Sequence, residues 1–281
     1  MGKHVLAVTD GSAAAQAALA WAAAVCTATR SDLSVATAWQ PEHPDLDPAV
    51  DAEGLELARR RLEDDWCAIL RTTGVDHDAV VLEGDPRQVI PAWSVEHGVD
   101  LVAMGGRGPG DDHRLGAVAT FLAHNLRRPL VAVPFGATGV PEHIVVGVDG
   151  SAGSSSAIEW CASFAPDLHA SVLAVFAEVP VAEWVPRTDP KSWYRRARHS
   201  LEQWTEPLQE SSVHVERRIV EHEVGRALLE LANDGTTDLL VLGTRGRGGF
   251  AELLLGSTAL KMLHRSDVPV VLVPTRTDHQ E

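Results

Sequence analysis

The sequence predicts an α/β protein that contains one parallel-sheet domain twice. First, the segment HVLAVTDGSAAAQAALAWA from His4 returns as HIVVGVDGSAGSSSAIEWC from His143. Second, short apolar runs alternate with longer helical patterns in each half, and five strands alternating with four helices indicate an open parallel sheet with helices on both faces. Third, at about 100–200 residues per domain, a chain of 281 residues holds two domains.

The repeat extends to the end of each copy. LGAVATFLAHNLRRPLVAVP from Leu115 corresponds to LGSTALKMLHRSDVPVVLVP from Leu255. The offset between the copies drifts by one or two residues along the chain, as small loop insertions would produce. We predict domains at residues 1–138 and 139–281.

Each element of the first copy has its own signal. Apolar runs predict buried strands, whereas an Ala-rich stretch, an amphipathic stretch and a segment opened by Pro86 predict helices. The predicted elements are strand 5–8, helix 12–29, strand 33–38, helix 52–72, strand 79–82, helix 86–97, strand 101–104, helix 118–126 and strand 130–133. The second copy repeats this order from Ile144 to Val273.

Charge and composition exclude several classes of partner. The formal net charge of -15 argues against duplex nucleic acid and against anionic lipid, since both need clustered cations. No apolar run reaches the roughly 18 residues of a transmembrane helix, and no signal-peptide core is visible. The three cysteines form no Cys-x-x-Cys pair, which is typical of buried thiols in a reducing cytosol. We expect a cytoplasmic protein without nucleic-acid or membrane partners.

The most informative stretch is LLVLGTRGRGGFAELLLGS, which runs from Leu239 to Ser257. It is typical of a buried strand, a glycine-rich turn and a helix start, with Ser257 as the expected helix cap. Glycines let a ligand approach bare N–H groups, and a helix N-terminus adds unpaired N–H groups with partial positive charge. The pattern predicts a phosphate cradle that is neither a P-loop nor a dinucleotide fingerprint. The alternative is a flexible surface loop with a serine cap.

Other strand ends of the second copy contribute to the same edge. Ligands of open α/β sheets bind beyond the carboxyl ends of the strands. Asp149 follows the first strand, Ala177 ends the second, and Leu242 and Gly243 end the fourth. An acidic residue, an apolar backbone segment and a phosphate cradle would suit a nucleoside triphosphate. Asp149, like Asp10 in the first copy, could bind ligand or metal, or could merely cap the following helix.

These motifs resemble the universal stress protein family. VDGS follows the first strand and G-x-x-G, nine residues and G-S follow the fourth, and the resemblance covers nearly the whole chain. It implies strand order 3-2-1-4-5 in each domain and, in the nucleotide-binding branch, ATP with Mg²⁺ as counter-ion. It implies that the triphosphate is held by Gly243, Gly246, Gly256 and Ser257, with Leu242 and Thr258 beside it. It places Asp149 near the ribose–phosphate or Mg²⁺, and Ala177 at the adenine through backbone contacts.

The first copy departs from this pattern. GGRGPGDDHRLGA from Gly105 is two residues shorter between its last two motif glycines, and Ala117 replaces Ser257. Asp111 and Asp112 place negative charge where the triphosphate would lie. We expect the first domain to bind ATP poorly or not at all, unless Mg²⁺ on the two aspartates bridges to the phosphates.

Three functions fit these observations. We favour an ATP-binding regulatory protein of the stress response, with nucleotide held mainly in the second domain. The alternatives are an ATP-hydrolysing or nucleotidyl-transferring enzyme of the same superfamily, and an interaction scaffold that binds no nucleotide. No catalytic residue or metal-ligand set is assigned, although weak ATP hydrolysis or autophosphorylation at the Ser257 hydroxyl stays open. The resemblance also implies pairing through the last strands, which here predicts an internal pseudo-dimer and leaves a homodimer of whole chains open.

Overall fold

The computed structural model describes residues 2–41, 48–106, 115–177, 190–246 and 255–275. It divides into two compact units, Met1–Val140 and Pro141–Glu281. Each unit is considered by itself below, because each carries its own copy of the repeated sequence.

Within the described part of unit 1, strands and helices alternate as predicted. The elements are β1 (His4–Val8), α1 (Ala13–Thr29), β2 (Asp32–Trp39), α2 (Pro48–Arg60), β3 (His77–Glu83), α3 (Pro86–Glu96), β4 (Leu101–Gly105), α4 (Ala117–Asn125) and β5 (Leu130–Val133). The long helix predicted over residues 52–72 is wrong in its second half. There α2 passes into a π-helical turn, Arg61–Trp66, and then a 3-10 turn, Cys67–Thr72.

Unit 2 follows the same order with one additional short helix. Its described elements are β6 (His143–Gly147), α5 (Ala152–Leu168), β7 (Ser171–Ala177), α6 (Pro190–Trp204), α7 (Glu206–Glu210), β8 (Val215–Val220), α8 (Val224–Ala232), β9 (Leu239–Gly243), α9 (Ser257–Arg265) and β10 (Val270–Val273).

All of the strand pairs within each unit are parallel. Unit 1 has the strand order β3-β2-β1-β4-β5, and unit 2 has the equivalent order β8-β7-β6-β9-β10. Each unit therefore has the order 3-2-1-4-5 that the family resemblance implies. In both units the second and third strands lie on one side of the first strand, and the fourth and fifth strands lie on its other side. The direction in which strands are added therefore reverses between the first and fourth strands, and this position is the topological switch point.

Both faces of each sheet are covered. Successive residues of a strand point to opposite faces, and every residue from Leu101 to Met104 in β4 and from Leu239 to Leu242 in β9 is buried. The Ala-rich α1 supplies small side chains that let it pack closely on the strands, and Ala18 and Ala22 are fully buried. The predicted α/β architecture with helices on both faces is confirmed. No helix in the described ranges has the length and apolarity needed to cross a bilayer.

The cysteines lie in these cores rather than at a reactive surface. Cys26, Cys67 and Cys161 are free and buried. Burial raises the pKa of Cys26 to about 12 and that of Cys67 to about 11, and it also raises the pKa of Cys161. A thiolate is the nucleophilic form of cysteine, so these shifts suppress its reactivity.

We therefore expect the folded protein to react slowly with a thiol reagent at pH 8. With a pKa of about 11, only about one Cys67 thiol in a thousand is ionised at that pH, even before access is considered. Labelling should be at least about a hundredfold slower than in urea. One thiol labelled at the unfolded rate in native protein would contradict this prediction.

Candidate functional site

The turn after β6 carries Asp149, the acidic residue predicted to meet a ligand. Its Oδ1 atom accepts a hydrogen bond from the Ser151 amide at 2.9 Å, and Gly150 takes the positive φ of 76° at the centre of the turn. The side-chain cap of α5 is Ser151, whose Oγ atom accepts from the Ser154 amide at 3.2 Å. Asp149 shapes the turn before the helix, while Ser151 caps the helix itself.

The same turn is joined to the segment that follows β9. The Ser151 hydroxyl donates to the Arg245 carbonyl oxygen at 3.3 Å. Beneath this bond, a Cβ atom on Gly243 would collide with the Gly153 carbonyl, and one on Gly153 would collide with the Arg245 carbonyl. A side chain at either glycine would therefore force β9 and α5 apart, since packed interiors have little room to yield. Gly243 thus has a packing role, and its contact with a phosphate stays a prediction.

Gly246 lies close to the carboxylate of Asp149. It is exposed, and a Cβ atom at this position would lie 2.7 Å from Asp149 Oδ2. Because β6 and β9 are paired neighbours in the sheet, the turns that follow them meet at the same edge. The structure therefore brings the acidic turn and the first part of the glycine-rich turn together. Residues 247–254 lie outside the described residues.

The start of α9 completes the edge, with one correction to the predicted cap. The N-cap is Gly256, which offers no side-chain cap bond, and Ser257 is the first helical residue, so the predicted Ser257 cap is wrong. The Gly256 amide donates to the Thr244 carbonyl at 2.7 Å, and its carbonyl accepts from the Leu260 amide at 3.0 Å. Ser257 is exposed and Thr258 is half-buried. Without a side-chain cap, the first-turn amides can meet an anion.

Ala177 and Leu242 occupy the strand ends on either side of β6. Ala177 is half-buried at the end of β7. Leu242 is only 5% exposed, and its Cδ2 atom would lie 2.6 Å from a Cβ atom on Gly147. Its side chain therefore belongs to the core, and only its backbone could contact a ligand. Ala177, Asp149 and Gly243 end or follow three adjacent strands, which lie about 4.8 Å apart in a sheet.

Unit 1 holds a cavity that the sequence did not predict. Its volume is about 460 Å³, and it is lined by the Asp10 turn, the ends of β2 and β4, one face of α3 and the start of α4. Volumes of roughly 300–1,000 Å³ are usual for small-molecule sites. The repeat could have signalled this cavity, because it places the same strand ends at the edge of both units. Asp111 and Asp112 lie outside the described residues.

An exposed ion pair holds α9 against the beginning of α8. Lys261 Nζ lies 3.1 Å from Glu223 Oε2, and Glu223 Oε1 accepts from the Gly225 amide at 2.9 Å. The Lys261 hydrogen bond lowers the pKa of the Glu223 carboxyl, and the Gly225 amide adds to this effect. Glu223 thereby links the helix that begins at Ser257 to its neighbour in unit 2.

We expect Gly243→Ala to destabilise unit 2 by at least about 1–3 kcal/mol, the usual cost of overpacking. Gly256→Ala is the matched control: its Cβ atom would lie 3.4 Å from the Thr244 carbonyl oxygen, an ordinary contact, and its φ of -72° suits alanine. Its cost should stay below about 1 kcal/mol. Urea unfolding followed by circular dichroism measures both, and equal losses would refute the packing role of Gly243.

We expect Glu223→Gln to lower the free energy of unfolding by a few tenths of a kcal/mol at pH 7, roughly the value of a screened surface pair. Because the folded-state pKa of Glu223 is lowered, its contribution is present above the unfolded pKa and is lost as the pH falls through the folded pKa. Wild type and variant should therefore converge in urea unfolding at acid pH. A difference that persists there would exclude the carboxylate as its source.

Comparison with known proteins identifies the family. A universal stress protein of Mycobacterium tuberculosis is 27% identical over 94% of this chain and 93% of its own length. One of Mycolicibacterium smegmatis is 26% identical over 97% of both chains. The crystal structure of a universal stress protein from Archaeoglobus fulgidus has the same fold, with a TM-score of 0.75, 18% identity, and coverage of 97% of this chain and 98% of that one. Residues 1–134 and 141–274 each match the universal stress protein family, so the chain belongs to that family and carries two of its domains in tandem.

Proposed function

We propose that this universal stress protein binds ATP in unit 2 and acts as a regulatory protein in the stress response, with its interactions set by the bound nucleotide. The observation that carries the proposal is the meeting of an uncapped helix start and an acidic turn at the carboxyl edge of β6 and β9. The first turn of α9 has no side-chain cap, and the Asp149 turn is joined to the segment after β9 through Ser151.

The proposed roles follow from this arrangement. The amides at the start of α9, from Ser257 and Thr258, would donate to phosphate oxygens, aided by the helix dipole. Gly246 and Gly256 would let the phosphates approach the backbone because neither carries a side chain. Ala177, at the end of β7, would offer its backbone to the adenine ring.

A magnesium ion would accompany the triphosphate. Among the described residues, no three His, Cys, Asp or Glu side chains form a metal site. Mg²⁺ in nucleotide sites is commonly held by one or two carboxylates together with substrate phosphates. Asp149 would supply such a carboxylate at the edge where the phosphates are proposed to lie. When bound, the ion would neutralise phosphate charge that the carboxylate would otherwise repel.

We expect Gly246→Val to weaken ATP binding by at least about tenfold. A side chain there would collide with Asp149 Oδ2, and displacing well-placed polar contacts costs about 1–3 kcal/mol. The matched control is Gly108→Val, the equivalent sequence position in unit 1. Isothermal titration calorimetry of the full chain should give about one ATP per chain for wild type and for the control. Full affinity in Gly246→Val, or loss of binding in Gly108→Val, would refute the assignment to unit 2.

Whether the bound nucleotide is intact ATP, is hydrolysed or is absent distinguishes the regulatory protein from the enzyme and the scaffold. Native mass spectrometry of the purified protein should find intact ATP, and incubation with ATP should release little phosphate. Sustained release of ADP and phosphate would favour the enzyme alternative, and a protein that neither retains nor binds nucleotide would favour the scaffold. The cytoplasmic location, the pairing of the two domains and a homodimer of whole chains stay predictions.

A further inference from the structure

We propose that β3 pairs along its open edge with β3 of a second copy of the chain, in an antiparallel arrangement centred on Val80. β3 is the last strand in the order of unit 1, and among the described strands it pairs with β2. Its other edge presents backbone N–H and C=O groups that can bond to another strand. The proposal concerns unit 1 and does not depend on ATP binding in unit 2.

The hydrogen bonds of β3 show which of its residues face outward. The Gly84 amide, directly after β3, donates to the Trp39 carbonyl oxygen of β2 at 2.8 Å. Because successive amides of a strand point in opposite directions, Val80 also donates to β2, whereas Ala79 and Val81 point their amides and carbonyls away from it. Within the described ranges, no residue is bonded to these outward groups. They are available to a partner strand.

The centre of β3 carries no charge, whereas the equivalent strand of unit 2 does. Val8 and Gly147 are equivalent in the repeat, and strand pairing leads from Val8 to Val80 and from Gly147 to Arg218. Residues 79–82 therefore read AVVL where residues 217–220 read RRIV. Charged side chains commonly protect an edge strand from pairing with another chain. β8 has this protection at its centre and β3 lacks it.

The symmetry of a dimer decides the register. A twofold axis perpendicular to the sheet keeps each face on its own side, so opposing residues must lie an even number of positions apart in the sequence. Pairing His77 with Glu83 meets this condition, aligns the whole of β3 and puts Val80 opposite Val80 of the second copy. The outward-facing Ala79 and Val81 then oppose each other and exchange both of their backbone hydrogen bonds.

The charged ends of β3 fit this register. Glu83 is exposed and His77 is half-buried, so a carboxylate opposes an imidazole at both ends of the pair. Asp78 opposes Leu82, and no two like charges of β3 meet. The same register in unit 2 would put Arg218 opposite its own copy, which is destabilising. Charge therefore selects β3 rather than β8, and assembly stops at a dimer because the pairing uses both β3 edges.

Disulfide trapping in the full chain tests the register. Val80→Cys would place two thiols at a non-hydrogen-bonded pair, where the Cα atoms lie about 4.5 Å apart, within the span of a disulfide. Val81→Cys is the matched control, because its two copies would lie about 9 Å apart, too far to bridge. With copper phenanthroline as oxidant, Val80→Cys should form covalent dimer at least about tenfold faster than Val81→Cys. The native cysteines are buried and should add little background.

Sedimentation velocity measures the reversible dimer. Wild type should dimerise more as its concentration is raised over a roughly hundredfold range, since a single strand pair forms a small, weak interface. Val80→Arg, which copies the arginine of unit 2, should weaken the dimer about fivefold or more by placing two cations opposite each other. Val215→Arg adds the same charge on β8 and should leave the dimer unchanged.

Several outcomes would overturn the proposal. These are equal trapping of the two cysteine variants, no trapping of Val80→Cys, a dimer that Val80→Arg leaves intact, and open polymers, which would indicate a contact between β3 and a different edge. Circular dichroism checks that each variant is folded, and Val80→Cys, a small change in volume, keeps the test valid if Val80→Arg unfolds. No nucleotide enters these measurements, so their failure would leave the ATP proposal standing.

Discussion

The close approach of β9 to the first turn of α5 is the constraint on which the candidate site depends. Gly243 and Gly153 leave no space for a Cβ atom at their contact, and the Ser151 hydroxyl bonds to the Arg245 carbonyl above it. This contact fixes where the segment after β9 leaves the sheet. The position of Gly246 beside Asp149 follows from it, because Gly246 directly follows the bonded Arg245 and lies only three residues beyond Gly243 at the end of β9.

Unit 1 preserves the same contact although its loop sequence has diverged. A Cβ atom on Gly105 would lie 2.7 Å from the Ala14 carbonyl carbon and the Ala15 amide nitrogen, so β4 approaches α1 as β9 approaches α5. The Asp10 turn also repeats the Asp149 turn, with an amide-to-carboxylate bond of 2.9 Å in each. The close packing of the fourth strand on the first helix therefore does not depend on the residues that would contact a ligand's phosphates.

Sequence patterns predicted the fold well because the fold depends on repeated, local signals. Alternating apolar runs and helical stretches gave the strands and helices, and the family resemblance gave the strand order. Patterns could not show that Leu242 is a core side chain or that Gly243 is required for packing, because both facts depend on α5 and β6, which lie far away in sequence. The Gly256 cap was missed because a serine is normally the better cap, and only the backbone angles identify the glycine.

The unit 1 cavity indicates how duplication separates the shape of a site from its chemistry. Parallel strands with a switch point produce a cleft at their carboxyl edge whatever side chains follow. Glycine contacts at Gly105 and Gly243 keep that edge closely packed in each unit. Side chains at these strand ends can then differ between the two units without disturbing the strand pairing, because the ladder is formed by backbone hydrogen bonds.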